Sequence, residues 1–142
     1  MQDLNSFQDV ASLFARLGLA SGFLSAVTSR LGLLGKHSSG WRAFVEYTAQ
    51  VNSFAPKNIV PAIAIASTII ETALGFLLLA GYKTHYAALG AAVVSLLFAI
   101  AMAWSFGIKE PLDYSVFAFS AAAFLLATMP SYKWSIDQLL LK

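Results

Sequence analysis

Two stretches of the chain, residues 86–108 and 114–132, carry no Asp, Glu, Lys or Arg. A helix of about 20 residues, rising 1.5 Å per residue, crosses a hydrocarbon core of roughly 30 Å. A helix of that length in water keeps a polar face toward solvent, and these stretches have none. The pattern therefore predicts membrane spans, four in all, over about residues 10–34, 59–79, 87–106 and 112–129. Pro61 and Pro111 fall at the first turns of the second and fourth, where a missing N–H costs nothing, and Pro130 stops the fourth. The links at 81–85 and 107–110 are short, which predicts antiparallel neighbours. The expected fold is all-α: a single-domain, integral membrane four-helix bundle.

The longer first loop, 36–58, carries a different period. Trp41, Phe44, Val45, Thr48 and Val51 recur at helical spacing, while Arg42, Glu46 and Gln50 share the opposite face. That pattern predicts an amphipathic helix over about 40–52, lying at the membrane interface or acting as a lid over a cavity between the spans. Trp104, Tyr132 and Trp134 mark the headgroup level.

Composition sharpens the picture. The chain has 142 residues, 58% hydrophobic and 11% charged, a mean hydropathy of +0.71 and a net charge of +2. No basic nucleic-acid footprint is present. There is no cysteine, which excludes disulfides, iron–sulfur ligation and cysteine-based metal sites. Asp3 and Asp9 have the wrong sign for the n-region of a cleaved signal peptide, so the first hydrophobic stretch is expected to be retained. His37 and His85 are expected on opposite sides of the membrane, which argues against a bis-histidine haem. The remaining carboxylates are scattered, and no metal site is expected. Arg30, Lys36, Arg42, Lys57 and Lys109 sit on one side, against Lys83, Lys133 and Lys142, with Arg16 if it snorkels, on the other. That bias leans toward both termini lying outside the cytoplasm.

Glu71 is the first candidate for chemistry. It lies about eight residues, roughly 12 Å, from the end of the second span. An acidic group there costs about 2.5–3.5 kcal/mol even on the lenient insertion scale, so it is expected to face the bundle and find a partner. Ser67, Thr68 and Gly75 continue the same stripe. Arg16, entering the first span at matched depth, is the expected partner, with Arg30 too near the opposite membrane face. The pair either fixes helix register or serves a ligand. Gly18 and Gly22 form a GxxxG spacing, for packing inside the bundle or for dimerisation. Asp113 is expected to complement a helix N-terminus.

The segments Ala15-Arg16-Leu17-Gly18-Leu19-Ala20-Ser21-Gly22-Phe23-Leu24 and Glu71-Thr72-Ala73-Leu74-Gly75-Phe76-Leu77-Leu78-Leu79-Ala80-Gly81-Tyr82 resemble signatures of the DoxX/DoxD-like membrane proteins. Ser29-Arg30-Leu31 departs from that pattern, which often has a glycine and a lysine there. The resemblance implies a small four-helix protein of a bacterial or archaeal inner membrane. It also implies a link to terminal quinol oxidase or thiosulfate:quinone oxidoreductase systems. The reading that follows is an accessory or quinone-interacting subunit with other membrane subunits as partners and no redox cofactor of its own. Arg16, Glu71, Ser67 and Thr68 would supply hydrogen bonds to a quinone headgroup. The alternatives are a non-catalytic scaffold subunit and a small transporter or proton relay using Glu71.

Overall fold

Each long helix buries one face and exposes the other, and the buried face decides the packing. The structure, a computed structural model, describes residues 2–140, with side chains from Ser6; the side chain of Asp3, and Lys142, lie outside the described residues. Its elements are α1 (Gln2–Arg30), a 3₁₀ turn (Gly35–His37), α2 (Trp41–Val51), α3 (Val60–Ala80), α4 (Thr84–Phe106), α5 (Lys109–Asp113), α6 (Val116–Ala127) and α7 (Ile136–Leu140). Residues Ser6–Arg30, Val60–Ala80 and Thr84–Phe106 form three helices long and apolar enough to span a membrane. The chain is an all-helical integral membrane protein.

α1 packs along α3 and α4 along α6. Contacts of α3 with α4 and of α1 with α6 complete a four-helix bundle, and α2 lies across α3 and α4. The interior of α4 is built from Ala88, Ala91, Ala92, Ser95 and Ala99, all buried. Such small side chains let backbones approach closely, the main source of helix association where lipid is as apolar as leucine. Ser120 Oγ on α6 donates to Ala92 O on α4 at 2.7 Å, a bond between helices. Large apolar residues occupy both sides: Leu19, Phe23, Leu74, Leu78 and Leu126 fill the interior, while Phe14, Ile69, Phe76, Leu97 and Phe124 are exposed on the outer face.

Three expectations change. The first helix stops at Arg30 rather than continuing to residue 34, because Gly32 turns the chain at φ +77. The fourth expected span is broken: Ser115 adopts a left-handed conformation (φ 56) between α5 and α6. α6 alone rises about 18 Å, short of a hydrocarbon core. Of the GxxxG pair, Gly22 packs against the ring of Phe119, whereas a Cβ at Gly18 would meet nothing within 4 Å.

The end of α3 is the tightest point. Gly81 N–H donates to Leu78 O at 3.2 Å and Tyr82 N–H to Leu77 O at 3.0 Å, a Schellman closure with Gly81 at φ +66. A Cβ on Gly81 would stand 2.4 Å from Ser135 Cβ and 2.7 Å from Arg16 Cζ. Gly81→Ala is therefore expected to combine left-handed strain with overpacking, a loss of about 2–4 kcal/mol. Thermal unfolding in a single detergent checks it, and a midpoint equal to wild type would contradict the packing described.

Candidate functional site

The bundle carries a buried arginine at one level and a largely covered one at another, and their partners differ. Arg16 is 1% exposed and makes five hydrogen bonds to main-chain carbonyls at 3.1–3.4 Å, those of Leu78, Leu79, Lys133 and Trp134. Its cation thus covers the last carbonyls of α3, where the helix dipole favours positive charge. Asp137 does the converse at the start of α4, accepting from the amides of Lys83 (2.7 Å) and Thr84 (2.8 Å). The Asp137 amide donates to Gly81 O at 2.9 Å, and Lys133 pairs with the buried carboxylate of Asp9. The C-terminal segment is therefore strapped across this end of the bundle. Beside it lies an open cleft of about 470 Å³ lined by His85, Tyr132, Lys133 and Asp137. His85 Nδ1 lies 2.7 Å from Ala127 O; a carbonyl only accepts, so Nδ1 carries the proton.

Burial alone would push the Asp137 carboxyl up. Hydrogen bonds from Thr84 and Lys83, together with the charge of Arg16, outweigh it and hold the group below its ordinary value of 3.8.

The second arginine holds the acidic residue. Glu71 Oε2 lies 2.8 Å from Nη2 of Arg30, not Arg16, and both side chains are 13% exposed. The expected Arg16–Glu71 pair is not formed, and the cause is the direction in which helical side chains lean. Cα–Cβ bonds tilt toward a helix N-terminus. α1 and α3 are antiparallel, so Arg16 leans toward the C-terminal end of α3 while Glu71 leans away from it. Arg30 leans inward from the end of α1 and meets Glu71. Matched Cα depth does not bring two side chains of antiparallel helices together when both lean toward their own N-termini.

Phe44 of α2 completes the arrangement, its ring centroid 3.9 Å from Arg30 Cζ. Arg30 Nη1 is fully covered and has no hydrogen-bond partner. Ser67 and Thr68 lie on the same face of α3, one turn away, with their hydroxyls donating to Ala64 O at 3.1 and 2.8 Å. Their protons are committed to the helix, but their oxygens retain lone pairs that can accept. Four of the relevant groups, Glu71, Arg30, Ser67 and Thr68, thus share one region, and Arg16 does not belong to it. Arg30 was legible as a charge and Phe44 as an inward position of α2; their meeting with Glu71 followed from side-chain direction. Asp113 pairs with Lys109 one turn earlier. Among the described residues, no group of three His, Asp or Glu is placed to hold a metal ion.

A family model described as "TQO small subunit DoxD" matches residues 25–142. No curated protein and no solved structure matches the chain.

Removing one member of the Arg30–Glu71 pair strands the other in an apolar site. Arg30→Leu or Glu71→Leu is expected to cost about 3–5 kcal/mol, and the double variant much less. Equilibrium unfolding of the three variants in one detergent reads the coupling, and additive losses would contradict it. Asp137 titrates the other end. Its folded pKa is depressed, so its stabilisation is complete above the ordinary carboxylate value and is lost as pH falls through the depressed one. Asp137→Asn is expected to narrow its gap to wild type progressively below pH about 4. A gap independent of pH would show that charge plays no part.

Proposed function

The chain belongs to the DoxD family, and from that premise we propose that it is an accessory subunit of a membrane redox complex that holds a quinone headgroup beside Arg30 and Glu71. The observation that carries this reading is the covered Nη1 of Arg30, a charged donor left without a partner next to a carboxylate. Buried polar groups are nearly always hydrogen-bonded, and an orphaned one needs an explanation. A quinone offers carbonyl oxygens to such a donor, and its reduced form offers hydroxyls to a carboxylate. Ser67 and Thr68 supply further acceptors along the approach. When bound, a quinone supplies two-electron, two-proton chemistry, with the electrons drawn from a cofactor of another subunit.

The chain's own contribution is to bind and orient. Glu71 holds the Arg30 guanidinium in place, Phe44 covers one of its faces, and the apolar helices exclude water, which strengthens every charge-assisted bond inside. The inner membrane of a bacterium or archaeon is the setting this role implies. The scaffold alternative shares the same ion pair, with register as its purpose.

Binding of a fully substituted short-chain benzoquinone to the detergent-solubilised complex distinguishes the two. Glu71→Gln and Arg30→Gln are each expected to weaken binding about tenfold, the equivalent of one charge-assisted hydrogen bond. If the double Arg30→Leu/Glu71→Leu variant assembles and binds the quinone as wild type does, the pair is a scaffold element and the ligand reading fails.

A further inference from the structure

Arg30 Nη1, the donor assigned to the ligand, is fully covered, so something has to move for a headgroup to reach it. α2 is fastened by buried packing at one end and by exposed hydrogen bonds at the other. At its C-terminal end Val51 is 1% exposed and packs with Ala101 and Met102 of α4. Ser105 Oγ donates to Val51 O at 2.6 Å, and Ser53 and Ser105 share a hydroxyl bond of 2.8 Å. At its N-terminal end the chain from residue 31 to 37 is exposed, and Gly32 and Gly40 sit at φ +77 and +80 with open space where a Cβ would be. The links there all run to Ser29 and are exposed: Ser29 Oγ to Ser39 Oγ at 3.2 Å, Ser39 N–H to Ser29 Oγ at 3.0 Å, and Gly40 N–H to Ser29 O at 3.2 Å. Between the two ends stands Phe44, on the face of Arg30.

We propose that α2 is a hinged gate over the Arg30–Glu71 pair, pivoting on its Val51 end, and that Phe44 is the latch that holds it shut. The gate rests on the reading of that pair as a ligand site, but its motion is a property of the chain alone. A cation–π contact suits a latch: it is attractive at a partly exposed site yet has no fixed hydrogen-bond geometry to rebuild on each closure. Phe44 is a positioning residue. It orders the guanidinium when the gate is closed and uncovers Nη1 when it opens. Lid motions of this kind govern access rather than chemistry.

The absence of cysteine in the sequence makes the test clean. The first readout needs no ligand. Ser67→Cys places a lone thiol on α3, one turn from Glu71 toward α2, and its rate of reaction with a membrane-impermeant maleimide reports opening. Phe44→Ala and the bulk-conserving Phe44→Leu are each expected to raise that rate about fivefold or more, through a larger open population. The second readout is kinetic. Ser29→Cys with Ser39→Cys, oxidised to a disulfide, ties the N-terminal end of α2 to α1. Association and dissociation of a fully substituted short-chain benzoquinone are both expected to slow about tenfold or more with little change in Kd, as for a gate. Treatment with dithiothreitol followed by desalting should restore both rates. Labelling unchanged in both Phe44 variants, together with unchanged rates in the locked protein, overturns the gate even where Glu71→Gln still weakens binding about tenfold. If the quinone does not bind wild type at all, the ligand reading fails, and labelling alone decides the gate.

Discussion

Arg16 spends its guanidinium on main-chain carbonyls, and the closed end of the bundle depends on it. A charged group on a membrane-embedded helix is tolerated where it meets fixed partners. Here the partners are two carbonyls of the last turn of α3, those of Leu78 and Leu79, and two from the loop at Lys133 and Trp134. One side chain thereby joins α1, the end of α3 and the C-terminal segment. Gly81 has no Cβ because Arg16 and Ser135 fill the space it would take. Asp137 uses the same physics with opposite sign at the start of α4, so adjacent helix ends carry complementary charges.

That closure leaves the second arginine free for another role. Arg30 is held by one carboxylate and one aromatic face, fewer and softer partners than Arg16 has, and one of its nitrogens is left over. A guanidinium with five donors satisfied is structural; one with a covered donor unspent is available. The difference between the two arginines separates the strap at one end from the candidate ligand site on α3. It also explains why α2 matters, since Phe44 is the part of that site contributed by an element outside the four bundle helices.

Much of the fold was legible in the sequence because lipid imposes a one-dimensional rule. Every backbone group must be paired within the membrane, so long uncharged runs become helices, and short links make neighbours antiparallel. The amphipathic period at 41–51 was equally plain, with Phe44, Thr48 and Val51 on its inner face. Chain length misled at the fourth span, where an uncharged run hides a break at Ser115 that no glycine or proline announces. The stripe of Ser67, Thr68 and Glu71 was readable as a face, but the partner of Glu71 was not.

The sequence by itself determined that this chain is a helical membrane protein, which residues of α3 face inward, and that an isolated acidic residue there must be neutralised. Hydrophobicity and period are local properties that one strand of text carries in full. Tertiary structure alone decided which arginine meets Glu71, since that depends on the lean of side chains across antiparallel helices. It also decided that Asp137, a carboxylate without a motif, caps a helix 53 residues away in the chain. Long-range hydrogen bonds to backbone groups leave no pattern in sequence, because every residue supplies the carbonyls and nearly every one the amides that receive them.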